Sequence, residues 1–484
     1  GDPMTTSERL ADFAAGLRYD DLPPQVTREA KRLLLDTIGC GLGGHAVEKG
    51  QMAVAYARRM GGAPEATVLG MPGKLPAANA AFANGDLMNA LDWNALLPPS
   101  HVPPYVMPGA MALAELEGRS GRDLITALVL GMEVAGRVGR SLGGLRATKG
   151  GYPLPVWGIS SNQLGATAAA AHVLGLDAGK MLHALGLAAF HAPVPSHVKY
   201  NYTKEVGYAK FAPSGWMAQG GVTTATLAQM GYRGDTSFLE TERGFWAMNA
   251  APAWDEASVL DGIGSDWVFL NAAYKFWPTC GFYQSPLDAL TALIDEHDIQ
   301  PEEIDEIVYA IEQFASIPKY TTTEPNDHIE AAASGPYILS VAAHRIPRGP
   351  GWQARELLEH PGIRALMKKV RHEVNPRSET LRHQDIEVEG RPYLSHRPAD
   401  VRIRARGQVF EKSLDFANWL SIGVEGCIPT DEGLAEKFRA NAEGVLPPAQ
   451  TEAVIDAVMS LEDVGDVSTM MEQLAAQELA RVSA

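Results

Sequence analysis

At 484 residues the chain exceeds what one ordinary core holds, so two domains, or three, are expected. A formal charge of −17 argues against a nucleic-acid partner, and 46% apolar with 20% charged residues is the make-up of a globular protein in water. No apolar run reaches the roughly 18–20 residues that cross a bilayer, and no basic segment followed by an apolar one opens the chain. Cys40, Cys280 and Cys427 stand too far apart for a disulfide framework or a metal cluster, which makes a reducing cytoplasm the expected compartment.

Helical patterning runs from Thr6 to about Ala250. Ser7-Glu8-Arg9-Leu10 opens a capped helix, Val26–Gly39 has apolar residues at helical spacing, and Leu124–Val138, Leu164–Leu176 and Met181–Phe190 continue the pattern. Alanine and glycine on several faces point to helices buried among helices. Gly41-Leu42-Gly43-Gly44 follows a helix rather than a strand and is no dinucleotide fingerprint. Character changes near Asp266. Lys275-Phe276-Trp277-Pro278-Thr279-Cys280 reads as an irregular aromatic loop, with a helix after it through Ile294. Ile307–Ile311, Ile386–Val388 and Val401–Ala405 read as strands and Ile329–Ala343 as a helix, so the middle of the chain is a smaller α+β unit. Helical patterning returns at Leu434–Ala442 and Ala449–Leu461.

The densest signal lies between Ala77 and Glu115. An Ala-rich helix leads to Leu91-Asp92-Trp93, a Pro-rich loop carries His101, and a second Ala-rich helix begins near Pro108. One carboxylate and one imidazole thus sit on a loop between two packed helices, where chemistry commonly resides.

Asn84-Gly85, Ala90-Leu91-Asp92 and His101, with Pro108 seven positions later, resemble the MmgE/PrpD family. The resemblance covers nearly the whole chain and implies a mainly α protein with an α+β part. A large helical domain would be built from both chain ends (residues 1–268 and 423–484), with an α+β lid, residues 269–422, inserted between. It also implies an enzyme that moves a proton next to a carboxylate and expels water or carbon dioxide. No metal or organic cofactor is expected, and family members are typically homodimers.

Such chemistry needs cations for carboxylates, a base near carbon and an acid for the leaving group. Lys210, five residues before Gly215 at the head of an Ala-rich helix, matches a family lysine that pairs with a carboxylate, or serves as base if burial lowers its pKa. Lys275, in Lys-Phe-Trp-Pro, resembles the lysine that opens the family's lid, and Tyr320 corresponds to a tyrosine supplying a hydroxyl. His101 is then the proton carrier and Asp92 its orienting partner. Set against this, a lysine at a helix start, a loop histidine and a packing tyrosine are all ordinary structural features.

The chain also departs from the family pattern. Asn94 and Ala95 replace acidic positions, Asn89 and Gln284 replace histidines, and Cys280 stands where some members carry His. The family's Gly-Phe-His-Pro segment has no histidine here; Gly151-Tyr152-Pro153 or Trp157-Gly158 occupies it. A less charged or bulkier substrate follows, with proton transfer redistributed to Tyr152, Cys280 or Tyr283. Cys280 as nucleophile is disfavoured, because no adjacent His lowers its pKa. His191, His197, Lys199, Tyr200, Tyr202 and Lys204 form a cluster better read as a solvated loop than as replacement cations. The expected function is elimination from a small carboxylic acid. An epimerase using the same proton abstraction, or a ligand-binding protein without catalysis, are the alternatives.

Overall fold

The computed structural model describes residues 1–143, 148–149, 152–153, 159–203, 205–210 and 213–476. Small residues set how its helices meet. Helices α1 (Pro24–Gly43), α2 (Ala77–Asn89), α3 (Pro103–Glu117), α4 (Gly121–Ser141), α5 (Asn162–Val173) and α6 (Ser214–Gln229) pack together around one apolar core. Where α4 crosses α5, Gly131 and Gly165 face each other. A Cβ on Gly165 would come within 2.4 Å of the Gly131 carbonyl oxygen, so only glycine allows this backbone approach.

This core draws on Leu10 through Tyr274 and again on Trp419 through Leu474, so both ends of the chain share it. A second core holds Tyr283 through Ala405. It is built on α7 (Gln284–His297), strands β1 (Ile304–Ile311), β2 (Val370–Val374), β3 (Ala399–Ala405) and β4 (Gln408–Leu414), and helix α8 (Gly335–Ala343). The sheet order is β2-β1-β3-β4, with β1 and β2 parallel and the other pairs antiparallel. Ile307 stands opposite both Val370 and Ile403. Helix α7 packs on β3 and β4, and α8 on β2. The alternating burial of Val401, Ile403 and Ala405 is the half-buried strand pattern seen in the sequence. Helices α9 (Pro376–His383), α10 (Asp431–Ala442) and α11 (Pro448–Met459) complete the elements used below; α10 and α11 return to pack on α1.

Several sequence readings change. Ile386–Val388 is not a strand but part of a π-helical turn, Gln384–Val388, that prolongs α9. The buried Asp385 carboxylate holds it by accepting from the Ser395 and His396 amides and from Arg391. A three-residue alternation is too short to outweigh that anchor. The helix expected from Pro108 begins at Pro103, because Pro103 and Pro104 occupy the first turn, where amide hydrogens have no helical partner. Ile329–Ala343 is two helices, broken at Ser334, whose hydroxyl caps the second by accepting from the Tyr337 amide. Among the described residues no helix is long and apolar enough to cross a membrane.

Candidate functional site

Asp92 lies just beyond α2 and Lys210 just before α6, and both take left-handed backbone angles, with φ of +53° each. Residues other than glycine rarely do so, and such strain gathers where side chains must be aimed. Here the two converge. Asp92 Oδ1 accepts from Lys275 Nζ at 2.9 Å and lies 3.9 Å from Lys210 Nζ. Lys275 Nζ also donates to the Asp92 carbonyl at 2.8 Å, and Lys210 Nζ to the Asn89 carbonyl at 2.7 Å. Lys275 is fully buried, Asp92 and Lys210 nearly so.

The electrostatics follow from that enclosure. Burial raises the Asp92 carboxyl, but the Lys210 and Lys275 ammonium groups outweigh it and hold the group well below the usual carboxylate range. Lys210 is pushed down to about 7, chiefly because burial disfavours its charged form. A second layer supports the first. From α10, the buried Lys437 donates to the carbonyls of Trp93 and Lys275 at 2.9 and 3.0 Å, and sits 2.7 Å from Asp36 Oδ1 on α1. Trp93 Nε1 returns to the Lys275 carbonyl, and Gln353 ties the Leu91 carbonyl to that of Pro278.

His101 is half-buried. Its Nδ1 lies 3.3 Å from Asn94 Nδ2, an arrangement in which the amide donates and the ring proton sits on Nε2. Burial, and then the positive charge of Lys275, lower its pKa well below the usual imidazole range, so the ring is neutral near pH 7. The carboxylate of Asp92 is given to lysines, and the side chain seen at His101 Nδ1 is that of Asn94. The amides of Asn89 and the Oδ1 of Asn94 are buried without hydrogen-bond partners.

His101 opens onto a cavity of about 140 Å³ between the two cores. The helical side contributes Ser100, His101 and His197, with Leu96, Pro98, Pro99 and Ile159 as apolar wall. The lid side contributes Cys280, Tyr320, Glu312, Arg382 and Arg397, with Phe282, Phe314 and Leu394. The Tyr320 hydroxyl donates to Asn201 Oδ1 at 2.9 Å, and Lys319 Nζ donates to the same oxygen at 3.0 Å, so one helical-side amide engages two lid residues. Lys319 Nζ also lies 3.5 Å from the Tyr200 ring centre. Burial pushes Lys319 down to about 7 and the Cys280 thiol up to about 12, which keeps that thiol protonated at neutral pH.

The structure therefore gathers Asp92, Lys210 and Lys275 into one buried cluster and sets His101, Cys280 and Tyr320 around one cavity. Tyr152 lies on a two-residue strand, but its side chain, like Trp157, Gly158 and Lys204, falls outside the described residues. Two readings need correction. The Tyr283 hydroxyl is spent on the Ala333 and Tyr320 carbonyls, at 2.7 and 2.9 Å, and does not line the cavity. His197 is not on a solvated loop: it is buried and lines the cavity, because the short helix His197–Asn201 packs inward through Tyr200 and Asn201. Gln284 is likewise structural, accepting from the Trp277 amide and donating to its carbonyl.

Sequence reasoning missed Lys437, Asn201, Glu312, Lys319, Arg382 and Arg397. No local pattern marks the lid arginines, which reach the cavity through tertiary packing. Among the described residues, no group of three or more His, Cys, Asp or Glu side chains is placed to hold a metal ion.

Comparison with known proteins agrees with this architecture. The family model of the MmgE/PrpD N-terminal domain matches residues 8–255, and that of the MmgE/PrpD C-terminal domain matches residues 277–463. Similar proteins include the cis-aconitate decarboxylase of Mus musculus, 27% identical over 97% of this chain and 93% of that protein. The Homo sapiens cis-aconitate decarboxylase is 28% identical over 96% and 93%, and that of Aspergillus terreus 26% identical over 97% and 95%. With both family models matched in order, and together covering most of its length, the chain belongs to the MmgE/PrpD family of enzymes.

Proposed function

We propose that the protein is a cofactor-independent lyase acting on a small carboxylic acid, with decarboxylation the first reaction to test. The observation that carries this reading is one cavity, between the two cores, that brings a neutral imidazole, a protonated thiol and a phenol together, with Asp92, Lys210 and Lys275 close enough to His101 to act on its charge. In decarboxylation the bond from carbon to the leaving carboxylate breaks and carbon dioxide departs. The electron pair stays on a carbon next to a remaining carboxylate, and a proton closes that carbon. The Lys210–Lys275 cluster supplies positive potential for the anion as it forms, and a low-dielectric surround strengthens it. His101, with its proton on Nε2, is the donor best placed on the helical side; Tyr320 and Cys280 face it from the lid.

That opposition of donors from two sides of one cavity also favours a second reading, epimerisation, in which one face removes the proton and the other returns it. The relatives named above are cis-aconitate decarboxylases, which supports ranking the lyase first.

The test is NMR of reactions in deuterium oxide across di- and tricarboxylates including cis-aconitate, with wild type and His101→Ala. Product with one deuterium on the carbon that takes up the proton after carbon dioxide leaves, lost in the variant, supports the lyase. Exchange without a leaving group supports epimerisation, and no reaction with any acid sinks both.

Three further readings accompany this one. The division at 1–268, 269–422 and 423–484 is proposed as two folding units. Three free cysteines suit a reducing cytoplasm. A homodimer is proposed because Met52, Tyr56 and Met60 are exposed along one helical face (Glu48–Met60), with exposed Trp216 near it through Phe82. A monomer mass by light scattering would overturn the last.

A further inference from the structure

The lid wall of the cavity carries more charge than the reaction needs. Three elements deliver it: Glu312 follows β1, Arg382 lies in the last turn of α9, and Arg397 precedes β3. Two guanidiniums and one carboxylate line the cavity here, and the adjoining cleft adds the Glu379 carboxylate. Among the described residues neither Arg397 nor Glu312 has an ion-pair partner within 4 Å, and the buried Nε of Arg397 has no hydrogen-bond partner. A half-buried arginine without a partner is costly unless an anion completes it. Burial shifts both groups toward their neutral forms, lowering Arg397 and raising Glu312, as expected of charges held short of compensation.

Much of the remaining cavity lining is hydrocarbon, from Leu96 and Ile159 on the helical side and Phe282, Phe314 and Leu394 on the lid side. Past Arg382 and Arg397 it adjoins a narrow polar cleft lined by Ser285, Gln313 and Ser378. A compact tricarboxylate would leave the apolar stretch without a partner and place several charges against it.

We propose that Arg397, with Arg382 and Glu312, is a specificity site for the distal carboxylate of a dicarboxylic acid whose two charged ends are separated by a hydrocarbon spacer. This rests on the reading of the protein as acting on a carboxylic acid, and it adds which acids fit. Arg397 forms the charge-assisted pair, Glu312 limits the site to one anion, and the apolar walls select the spacer.

Calorimetric binding of succinate, glutarate, adipate and pimelate, and of their monoamides, tests this without chemistry, because these saturated acids offer no double bond or hydroxyl to react. Wild type is expected to bind adipate or pimelate about tenfold tighter than succinate, and about tenfold tighter than the matching monoamide. Arg397→Met should reduce the diacid-to-monoamide ratio to about twofold or less, whereas Glu312→Gln should tighten diacid binding, a gain that a misfolded variant cannot show. Equal affinity across chain lengths, an unchanged ratio in Arg397→Met, or no diacid binding at all would overturn the proposal. Diacid binding as expected, with no acid turned over by NMR, would instead overturn the lyase reading and leave the specificity site standing.

Discussion

Lys275 Nζ lies 2.9 Å from Asp92 Oδ1 and 2.8 Å from the Asp92 carbonyl oxygen, so a residue from the start of the lid segment is clamped by the loop that leaves α2. Both are buried, and Lys275 has no exposed surface at all. The pair makes the carboxylate the common partner of both lysines.

Asp92→Asn should therefore do two things at once. Removing the charge leaves Lys275 buried without its counter-ion, and breaking such a pair costs about 3–5 kcal/mol. Urea unfolding followed by circular dichroism is expected to show that loss together with loss of turnover. A variant of wild-type stability would mean that Lys275 is not held as described.

Lys210 makes stability depend on pH in a definite direction. Its folded pKa of about 7 lies below its ordinary 10.5, so between these values the unfolded chain holds a proton that the folded protein lacks. Unfolding takes up that proton, and this contribution makes stability rise as pH increases through the window. Lys210→Met should flatten the rise, by at most about 1.4 kcal/mol per pH unit. Denaturant midpoints of the two proteins at pH 7, 8 and 9 check it; parallel curves would contradict the shift.

Asn94 offers a gain-of-charge test. Its amide lies 3.3 Å from His101 Nδ1, at a position where the family pattern has an acid. Asn94→Asp should raise the His101 pKa by about 1–2 units, since a carboxylate favours the charged ring. A histidine NMR titration reads this directly, and the acid limb of the activity profile should move to higher pH with it. No movement would place Asn94 out of contact with the ring.

Lys437 and Asp36 form a buried pair with no solvent contact of consequence. Lys437→Met alone should destabilise by about 3–5 kcal/mol, while Lys437→Met combined with Asp36→Leu should recover much of it. Turnover should stay low in both, because the carbonyls of Trp93 and Lys275 lose their clamp. A double variant with restored stability but full activity would reduce the pair to a packing role.

How much of this was legible beforehand depends on how local the signal is. The Ala-rich helices and the strands around Ile307 and Val401 show in periodicity, because each buries one face over several turns or residues. Asp92, His101, Lys210 and Lys275 stood out only through short motifs in a recognised pattern. Nothing in periodicity says that Lys275 is wholly buried, or that Asp92 serves the lysines. The edge strand Gln408–Leu414 is mostly exposed, with no residue buried, and left little trace. Arg397 and Glu312 reach one cavity because β1 and the approach to β3 lie side by side in the sheet, a pairing no sequence window contains. His197 looked like a loop residue because its neighbours Lys199 and Tyr202 are polar, yet the turn of helix that carries it faces inward.

The clamp on the Trp93 carbonyl comes from a lysine 344 positions further along the chain. During synthesis, the loop bearing Asp92 and the segment bearing Lys275 are therefore made long before the group that fixes them together. Until α10 docks on α1, the carbonyls of Trp93 and Lys275 lack the lysine that bridges them. A ribosome-bound chain halted before Lys437 would carry every candidate acid and base but not the lysine that bridges the Trp93 and Lys275 carbonyls.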